Sequence, residues 1–153
     1  MEFALTALAK GADDSYQKAL EGSRRMPASS QTVLWISIGA VLGANLRYFV
    51  SQYLSKFALA GVPFGTLVVN VTGSFVLGFF LIWTSERVLA DPRWRLFVAI
   101  GFCGGYTTFS SFAYETFALF EHGQLGPTIW NLLLNNVLCL SAVVAGAAIA
   151  RIL

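Results

Sequence analysis

Polar and aromatic side chains recur at helical spacing inside long apolar stretches of this chain. The three stripes are Thr66 with Asn70, Phe109 with Phe112, and Asn131 with Asn135 and Cys139. Residues three or four apart share one face of a helix, so each stripe lines a single face. Asn and Thr donate hydrogen bonds through neutral groups, and a Phe ring has a positive edge. No Lys or Arg lies in these stripes. If they converge, they suit a small hydrated anion, which a fixed cation would hold too long for release.

A second feature is the segment Gly101-Phe-Cys-Gly-Gly-Tyr-Thr-Thr-Phe-Ser-Ser-Phe112, which places three glycines and four hydroxyl residues inside an apolar run. Lipid offers no partner to freed backbone groups, so a helix that breaks at membrane depth usually marks an ion or substrate site. Unwound carbonyls at Gly104 and Thr107 would coordinate a cation such as Na+. The polar stripes are equally compatible with hydrogen-bonded contacts between helices, and the residue types leave both interpretations open.

The composition indicates that these residues lie in membrane-spanning helices. The chain has 153 residues, of which 56% are hydrophobic and 12% charged, whereas soluble domains carry roughly 25% charged residues. We therefore predict an all-α membrane protein with four transmembrane helices, each needing about 20 residues to cross the bilayer. The predicted spans are residues 33–54, 64–85, 94–120 and 127–149, and the third contains the break. Residues 1–32 are predicted to form a charged N-terminal extension, partly helical or disordered.

The same composition argues against other classes of protein. The basic residues are scattered around the apolar spans, so no nucleic-acid partner is expected. The sequence holds no Ser-His-Asp set and a single histidine, His122, so we do not expect an enzyme. Glu115 lies about one and a half turns before the end of the third span, where an interfacial position or an ion pair is expected.

Basic residues near the spans are unevenly distributed. Four spans place both termini and the loop between the second and third spans on one side of the membrane. The basic residues near the spans on that side are Arg24, Arg25, Arg87, Arg93, Arg95 and Arg151, and those toward the other side are Arg47 and Lys56. The positive-inside rule then predicts cytoplasmic termini for a single chain.

The residues resemble those of a known family. The segments that carry the resemblance are Gly39-Ala-Val-Leu-Gly-Ala-Asn-Leu-Arg-Tyr48, Gly65-Thr-Leu-Val-Val-Asn70 with Gly73, and the 101–112 segment followed by Glu115. They are similar, in this order, to the fluoride channels of the Fluc (CrcB) family, over about residues 33–151. The resemblance implies a passive, fluoride-selective channel in the cell inner (plasma) membrane that exports cytoplasmic fluoride.

The resemblance also implies an assembly and a set of site residues. Family members form antiparallel, dual-topology dimers with two pores and a central structural Na+. The implied Na+ ligands are Gly104 and Thr107, and the vestibule arginine is Arg47. The implied fluoride path comprises Asn70, Phe109, Phe112, Thr66 and Ser110, to which the stripe in the fourth span adds Asn131 and Asn135.

This chain departs from the family pattern in three respects. The fourth span carries asparagines where many members carry Tyr and Ser or Thr, and the N-terminal extension is longer than usual. The charge bias is also unexpected for dual topology, so a heterodimer or a non-conducting subunit of one remains open beside the homodimer. A proton-coupled exporter of the small four-span type is a further alternative. It would need a mid-membrane carboxylate in the first span, and residues 33–54 contain no Asp or Glu.

Overall fold

The computed structural model describes residues 30–57, 61–86 and 91–153. All regular elements in these ranges are helices. Helix α1 is Ser30–Leu54, α2 is Phe64–Glu86, α3 is residues 92–106, α4 is Phe109–Glu121 and α5 is Leu125–Ile152. The predicted extension lies outside the described residues, except for its last three, which begin α1. Arg24, Arg25 and Arg87 also lie outside them.

Four helical spans are long and apolar enough to cross a membrane: Ser30–Leu54, Phe64–Ser85, Pro92–Glu121 and Leu125–Ile152. The predicted four-span, all-α class is therefore confirmed. The third span consists of α3 and α4 with the break between them. Contacts divide the chain into two units, Met1–Val33 and Leu34–Leu153, and the following description concerns the second.

Helices α1 and α3 pack side by side through glycine. A Cβ at Gly43 would fall on the carbonyl oxygen of Phe102, and one at Gly101 would lie 2.6 Å from that of Ile36. A Cβ at Gly105 would come equally close to the backbone of Ala40. Contact positions rise together along both helices, so α1 and α3 run parallel. The G-x-x-x-G pairs thus allow two backbones to approach closely, as expected of helices in lipid.

Helices α2 and α5 form the second parallel pair. Gly78 on α2 faces the backbone of Val143, and Gly146 on α5 faces the backbone of Phe75. Asn70 and Asn135 are in contact nearer the start of the same pair. Helix α4 packs antiparallel against α5. Together α2, α4 and α5 enclose the polar residues of the site.

Helix α3 changes its winding before the break. It is α-helical over Pro92–Trp94, π-helical over Arg95–Cys103 and α-helical again over Gly104–Tyr106. Asp91 caps its start by accepting a hydrogen bond from the Arg93 N–H, with Pro92 in the first turn, where a missing N–H is harmless. A π-helical turn within an α-helix is often found near a functional site.

Candidate functional site

The break between α3 and α4 is two residues long. Thr107 (φ −80°, ψ 157°) and Thr108 (φ −151°, ψ 114°) are both extended, a conformation that β-branched side chains favour. The Thr107 N–H and hydroxyl both donate to the Cys103 carbonyl, at 2.9 and 3.0 Å, and these are the last helical contacts of α3. The Thr108 hydroxyl accepts from the Ser111 N–H at 3.1 Å and so caps α4, as threonine commonly does at this position. The threonines therefore make the break, whereas Gly101 and Gly105 pack against α1.

Asn70 on α2 takes the place of the missing helical partners at the break. Its Oδ1 accepts from the Thr108 N–H at 2.8 Å, and its Nδ2 donates to the Thr108 carbonyl at 3.1 Å. One carboxamide thus satisfies both backbone groups of an extended, buried residue. Buried backbone groups without partners are costly, so Asn70 stabilises the broken conformation directly.

Two asparagines of α5 extend this contact into a chain of hydrogen bonds. Asn70 Nδ2 also donates to Asn135 Oδ1 at 3.2 Å, and Asn135 Nδ2 donates to Asn131 Oδ1 at 2.9 Å. Asn131, which is fully buried, donates through Nδ2 to the Thr116 hydroxyl at 2.8 Å. That hydroxyl donates to the Phe112 carbonyl at 2.7 Å. The structure therefore brings Asn70, Asn135 and Asn131 together. It uses the amide hydrogens of Asn70 and Asn135 within the protein.

Thr66 lies one turn before Asn70 and has a different partner. Its hydroxyl donates to Glu115 Oε1 at 2.7 Å, while Glu115 Oε2 is buried and accepts no hydrogen bond. Glu115 forms no ion pair within the described residues, so of its two expected roles the interfacial position stays a prediction. Glu115 instead lies half-buried on α4, beside the site, with a neutral donor on one oxygen.

The two predicted pore phenylalanines occupy different environments. Phe112 is 6% exposed and Phe109 is 77% exposed. Their ring centroids are 5.5 Å apart at an interplanar angle of 65°, an edge-to-face arrangement. Both rings line a groove of about 360 Å³ between α4 and α5, together with Ala113, Thr116, Phe117, Phe120, Thr128 and Leu132. The groove is open to the surface, and Phe109 is the most exposed of the phenylalanines that line it.

The predicted cation ligands lie at the break itself. In a continuous helix the Gly104 carbonyl would accept from the Thr108 N–H, but that group donates to Asn70. The Thr107 carbonyl would accept from the Ser111 N–H, which donates instead to the Thr108 hydroxyl. Gly104 is exposed, and a Cβ there would meet nothing within 4 Å. Both carbonyls have thus lost their helical donors, and the one at Gly104 lies at the surface.

The remaining predicted residues lie away from the buried chain. Ser110 is exposed on the first turn of α4, with its Oγ 3.2 Å from the Thr108 hydroxyl. Arg47 is half-buried on α1, two turns before that helix ends. Ser110 is linked to Asn70 only through Thr108, and Arg47 forms no hydrogen bond to the three asparagines within the described residues.

Two residues of the site were not predicted. Thr108 joins Asn70 to the break, and Thr116 joins Asn131 to α4. Thr116 lies four residues after Phe112, so helical spacing alone could have placed it on the same face. The partner of Thr108 comes from a helix 38 residues away along the chain, and no spacing rule identifies such a contact.

These features define a class: a multi-pass helical membrane protein with a broken third span and a buried track of neutral polar groups. The comparisons with known proteins name the family. Residues 34–147 match the family described as CrcB-like protein, Camphor Resistance (CrcB). The chain therefore belongs to the CrcB family, and the predicted resemblance is confirmed.

Individual relatives agree with the family match. The fluoride-specific ion channel FluC of Koribacter versatilis is 53% identical over 118 residues, which cover 77% of this chain and 94% of the relative. FluC of a Sulfurihydrogenibium species is 47% identical over 120 residues, covering 78% and 97%. FluC of Methanococcus maripaludis is 46% identical over 115 residues, covering 74% and 91%. These are names of ion channels, which supports the expectation that the chain is not an enzyme. Membership also confirms a multi-pass membrane protein, located in bacteria in the inner membrane.

Proposed function

We propose that the chain forms a fluoride-selective channel through which cytoplasmic fluoride leaves the cell passively. The observation that carries this proposal is the 53% identity to a fluoride-specific ion channel across 94% of that relative's length. Passive flow needs no coupled energy source, and the acidic side chains within the described spans are the half-buried Glu115 and the exposed Glu121 at the end of the third span.

The chemistry of the site supports an anion as the permeant ion. Asn70 and Phe112 both lie at the start of α4. Asn70 binds Thr108, the residue before the helix, and Phe112 belongs to the first turn of the helix. Neutral N–H and O–H groups can replace the hydration shell of a small anion without holding it as an arginine would. We propose that the path runs past Asn70, Phe109 and Phe112, with Thr66, Ser110, Asn131 and Asn135 beside it and Arg47 at its vestibule.

We propose a second copy because one chain leaves part of this site exposed. Phe109 is mostly exposed, and the groove that it lines is open to the surface. Helix α1 also exposes a row of aromatic side chains, Tyr48, Phe49 and Tyr53. Exposed apolar surface of this extent marks an interface or lipid contact. We propose an antiparallel homodimer with two pores, in which the partner covers the open side of each groove.

The freed carbonyls at the break fit a structural Na+ shared by two chains. Within the described residues no cluster of His, Cys, Asp or Glu could hold a metal ion, so a cation here would depend on neutral oxygens. The Gly104 and Thr107 carbonyls provide these oxygens. The N–H groups that would bond them in a continuous helix donate instead to Asn70 Oδ1 and to the Thr108 hydroxyl. A bound Na+ would supply fixed positive charge between the two copies. Two oxygens surround a cation incompletely, which is why the symmetric pair is proposed.

Fluoride efflux from liposomes tests the proposal. Purified protein reconstituted into vesicles loaded with potassium fluoride should release fluoride when a potassium ionophore balances the charge. Matched vesicles loaded with potassium chloride should release hardly any chloride. Equal efflux of the two anions would contradict selectivity. Efflux that requires a proton gradient and Glu115 would instead support the proton-coupled exporter.

The charge bias favours one further possibility, a non-conducting subunit that completes a partner's channel. Among the described residues, Arg93, Arg95 and Arg151 lie at one side of the spans, whereas Arg47 and Lys56 lie toward the other. If the chain alone gives no fluoride efflux while co-expression with a second family member restores it, the heteromeric channel replaces the homodimer.

A further inference from the structure

The hydrogen-bond chain through the site has a fixed direction. The carbonyl oxygen of Phe112 can only accept, so the Thr116 hydroxyl that contacts it must donate. The same hydroxyl then accepts from Asn131 Nδ2, and this turns Asn131 Oδ1 toward Asn135. A backbone carbonyl of α4 thus determines the orientation of the Asn131 carboxamide.

The direction continues to Asn70. Asn135 Nδ2 faces Asn131, where it contacts both the carbonyl oxygen, at 3.2 Å, and Oδ1. Asn135 Oδ1 is therefore the atom that faces Asn70, and it accepts from Asn70 Nδ2. The hydrogen-bond chain begins at the Phe112 carbonyl, in the first turn of α4. It passes through α5 and α2 and ends at Thr108, which caps the same helix.

The two hydrogens on Asn70 Nδ2 consequently have different roles. One is directed to the Thr108 carbonyl and is needed to satisfy the break. The other is directed to Asn135 Oδ1. Only the second can be given to a passing anion without leaving a buried backbone carbonyl unpaired.

We propose that Asn135 is a positioning residue, which holds the Asn70 carboxamide in the orientation that serves both the break and the anion. Between ions, Asn135 Oδ1 occupies the acceptor place on the Asn70 N–H that a permeating anion takes in turn. This inference rests on the proposed fluoride conduction, and it assigns to α5 an acceptor role in place of the donor role that its asparagines suggest from sequence.

Three variants separate this role from packing. Asn135→Leu keeps the approximate volume and removes both hydrogen-bonding groups. Asn135→Asp keeps the shape, and burial favours the neutral carboxyl, which presents an oxygen to Asn70 and an O–H to Asn131. Asn136→Leu is the matched control, because Asn136 is exposed and its Nδ2 bonds only the Leu132 carbonyl of its own helix.

We expect Asn135→Leu to lower fluoride efflux by at least about tenfold, which corresponds to ~1.4 kcal/mol. Asn135→Asp should restore most of the efflux, and Asn136→Leu should conduct like the parent chain. Hydrogen exchange of the segment containing the Thr108 amide should speed up in Asn135→Leu alone. A packing role would leave Asn135→Leu within twofold of the parent or make Asn135→Asp equally defective, and either result overturns the inference.

The two readouts also separate this inference from the proposed function. A parent chain without fluoride efflux would overturn the function, and exchange at Thr108 would still decide whether Asn135 positions Asn70. A conducting parent with unchanged exchange in Asn135→Leu would overturn the positioning role alone.

Discussion

At the scale of single residues, the two phenylalanines after the break differ in what surrounds them. Phe112 is buried between helices and its backbone carbonyl begins the hydrogen-bond chain. Phe109 turns one edge toward Phe112 and exposes most of its surface. An exposed ring beside an open groove can meet an ion and a second chain at once, so Phe109 is the residue at which conduction is tested most directly.

Phe109→Ile should slow fluoride efflux by about tenfold, or ~1.4 kcal/mol, because isoleucine keeps the apolar bulk and lacks the positive ring edge. Tyr114→Ile is the control on the same helix, because the Tyr114 ring is 73% exposed and does not line the groove. Efflux from liposomes and the dimer fraction from size-exclusion chromatography are the two measurements. If Phe109→Ile conducts as well as Tyr114→Ile while remaining dimeric, Phe109 does not line the pore.

Residue types predicted part of this site. The spacing of Asn131 and Asn135 correctly places both on one buried face, and Phe109 with Phe112 form a ring pair. The assignment of donors was beyond the sequence. Whether an asparagine offers its N–H or its oxygen depends on partners from other helices, as the Thr116 hydroxyl shows for Asn131. The participation of each residue in an ion path stays a prediction.

At the scale of helices, glycine decides how closely α1 and α3 approach. The pair Gly39 and Gly43 faces the backbone of Phe102, and Gly105 faces Ala40. The G-x-x-x-G spacing of the first pair is typical of close packing between helices in lipid. For the third span, the sequence predicts a break within the glycine-rich segment 101–112. The break is shorter than the glycine-rich segment and consists of the two extended threonines. The Asn70 carboxamide supplies the hydrogen-bond partners that the Thr108 backbone lacks there.

Gly43→Ala should destabilise the protein by roughly 1–3 kcal/mol, the usual effect of overpacking, because the new methyl would collide with the backbone of α3. Gly126→Ala is the control within a helix, since a Cβ there meets nothing within 4 Å. Thermal unfolding in detergent compares the two variants. Equal melting temperatures would show that α1 and α3 are not as close as described.

At the scale of the whole molecule, the arrangement of charge and the open groove lead to different expectations. Arginines near one side of the spans favour a single orientation in the membrane. A groove open to the surface and a freed carbonyl at an exposed glycine leave room for a partner, which the proposed antiparallel homodimer places in the opposite orientation. The number of spans and the fold class followed from hydropathy, whereas assembly depends on a surface that one chain leaves open.

A reporter fused after Leu153 resolves these expectations. If the homodimer is antiparallel, a reporter that is active only in the cytoplasm and a reporter that is active only outside it should both give a signal, in roughly equal amounts. Changing Arg93, Arg95 and Arg151 together to Gln should leave fluoride efflux intact. A signal from one side only would require a partner chain of opposite orientation.

The hydrogen-bond chain also implies an order in which the site forms during synthesis and membrane insertion. Asn70 and Thr108 can meet as soon as α4 has entered the membrane, but Asn131 and Asn135 are synthesised later. Until then the Asn70 carboxamide has no neighbour from α5 to fix its second hydrogen. During synthesis, the contact between Asn70 and Thr108 can therefore form before Asn135 is present to orient the Asn70 carboxamide. Insertion of α5 therefore completes the hydrogen-bonded interior of the chain.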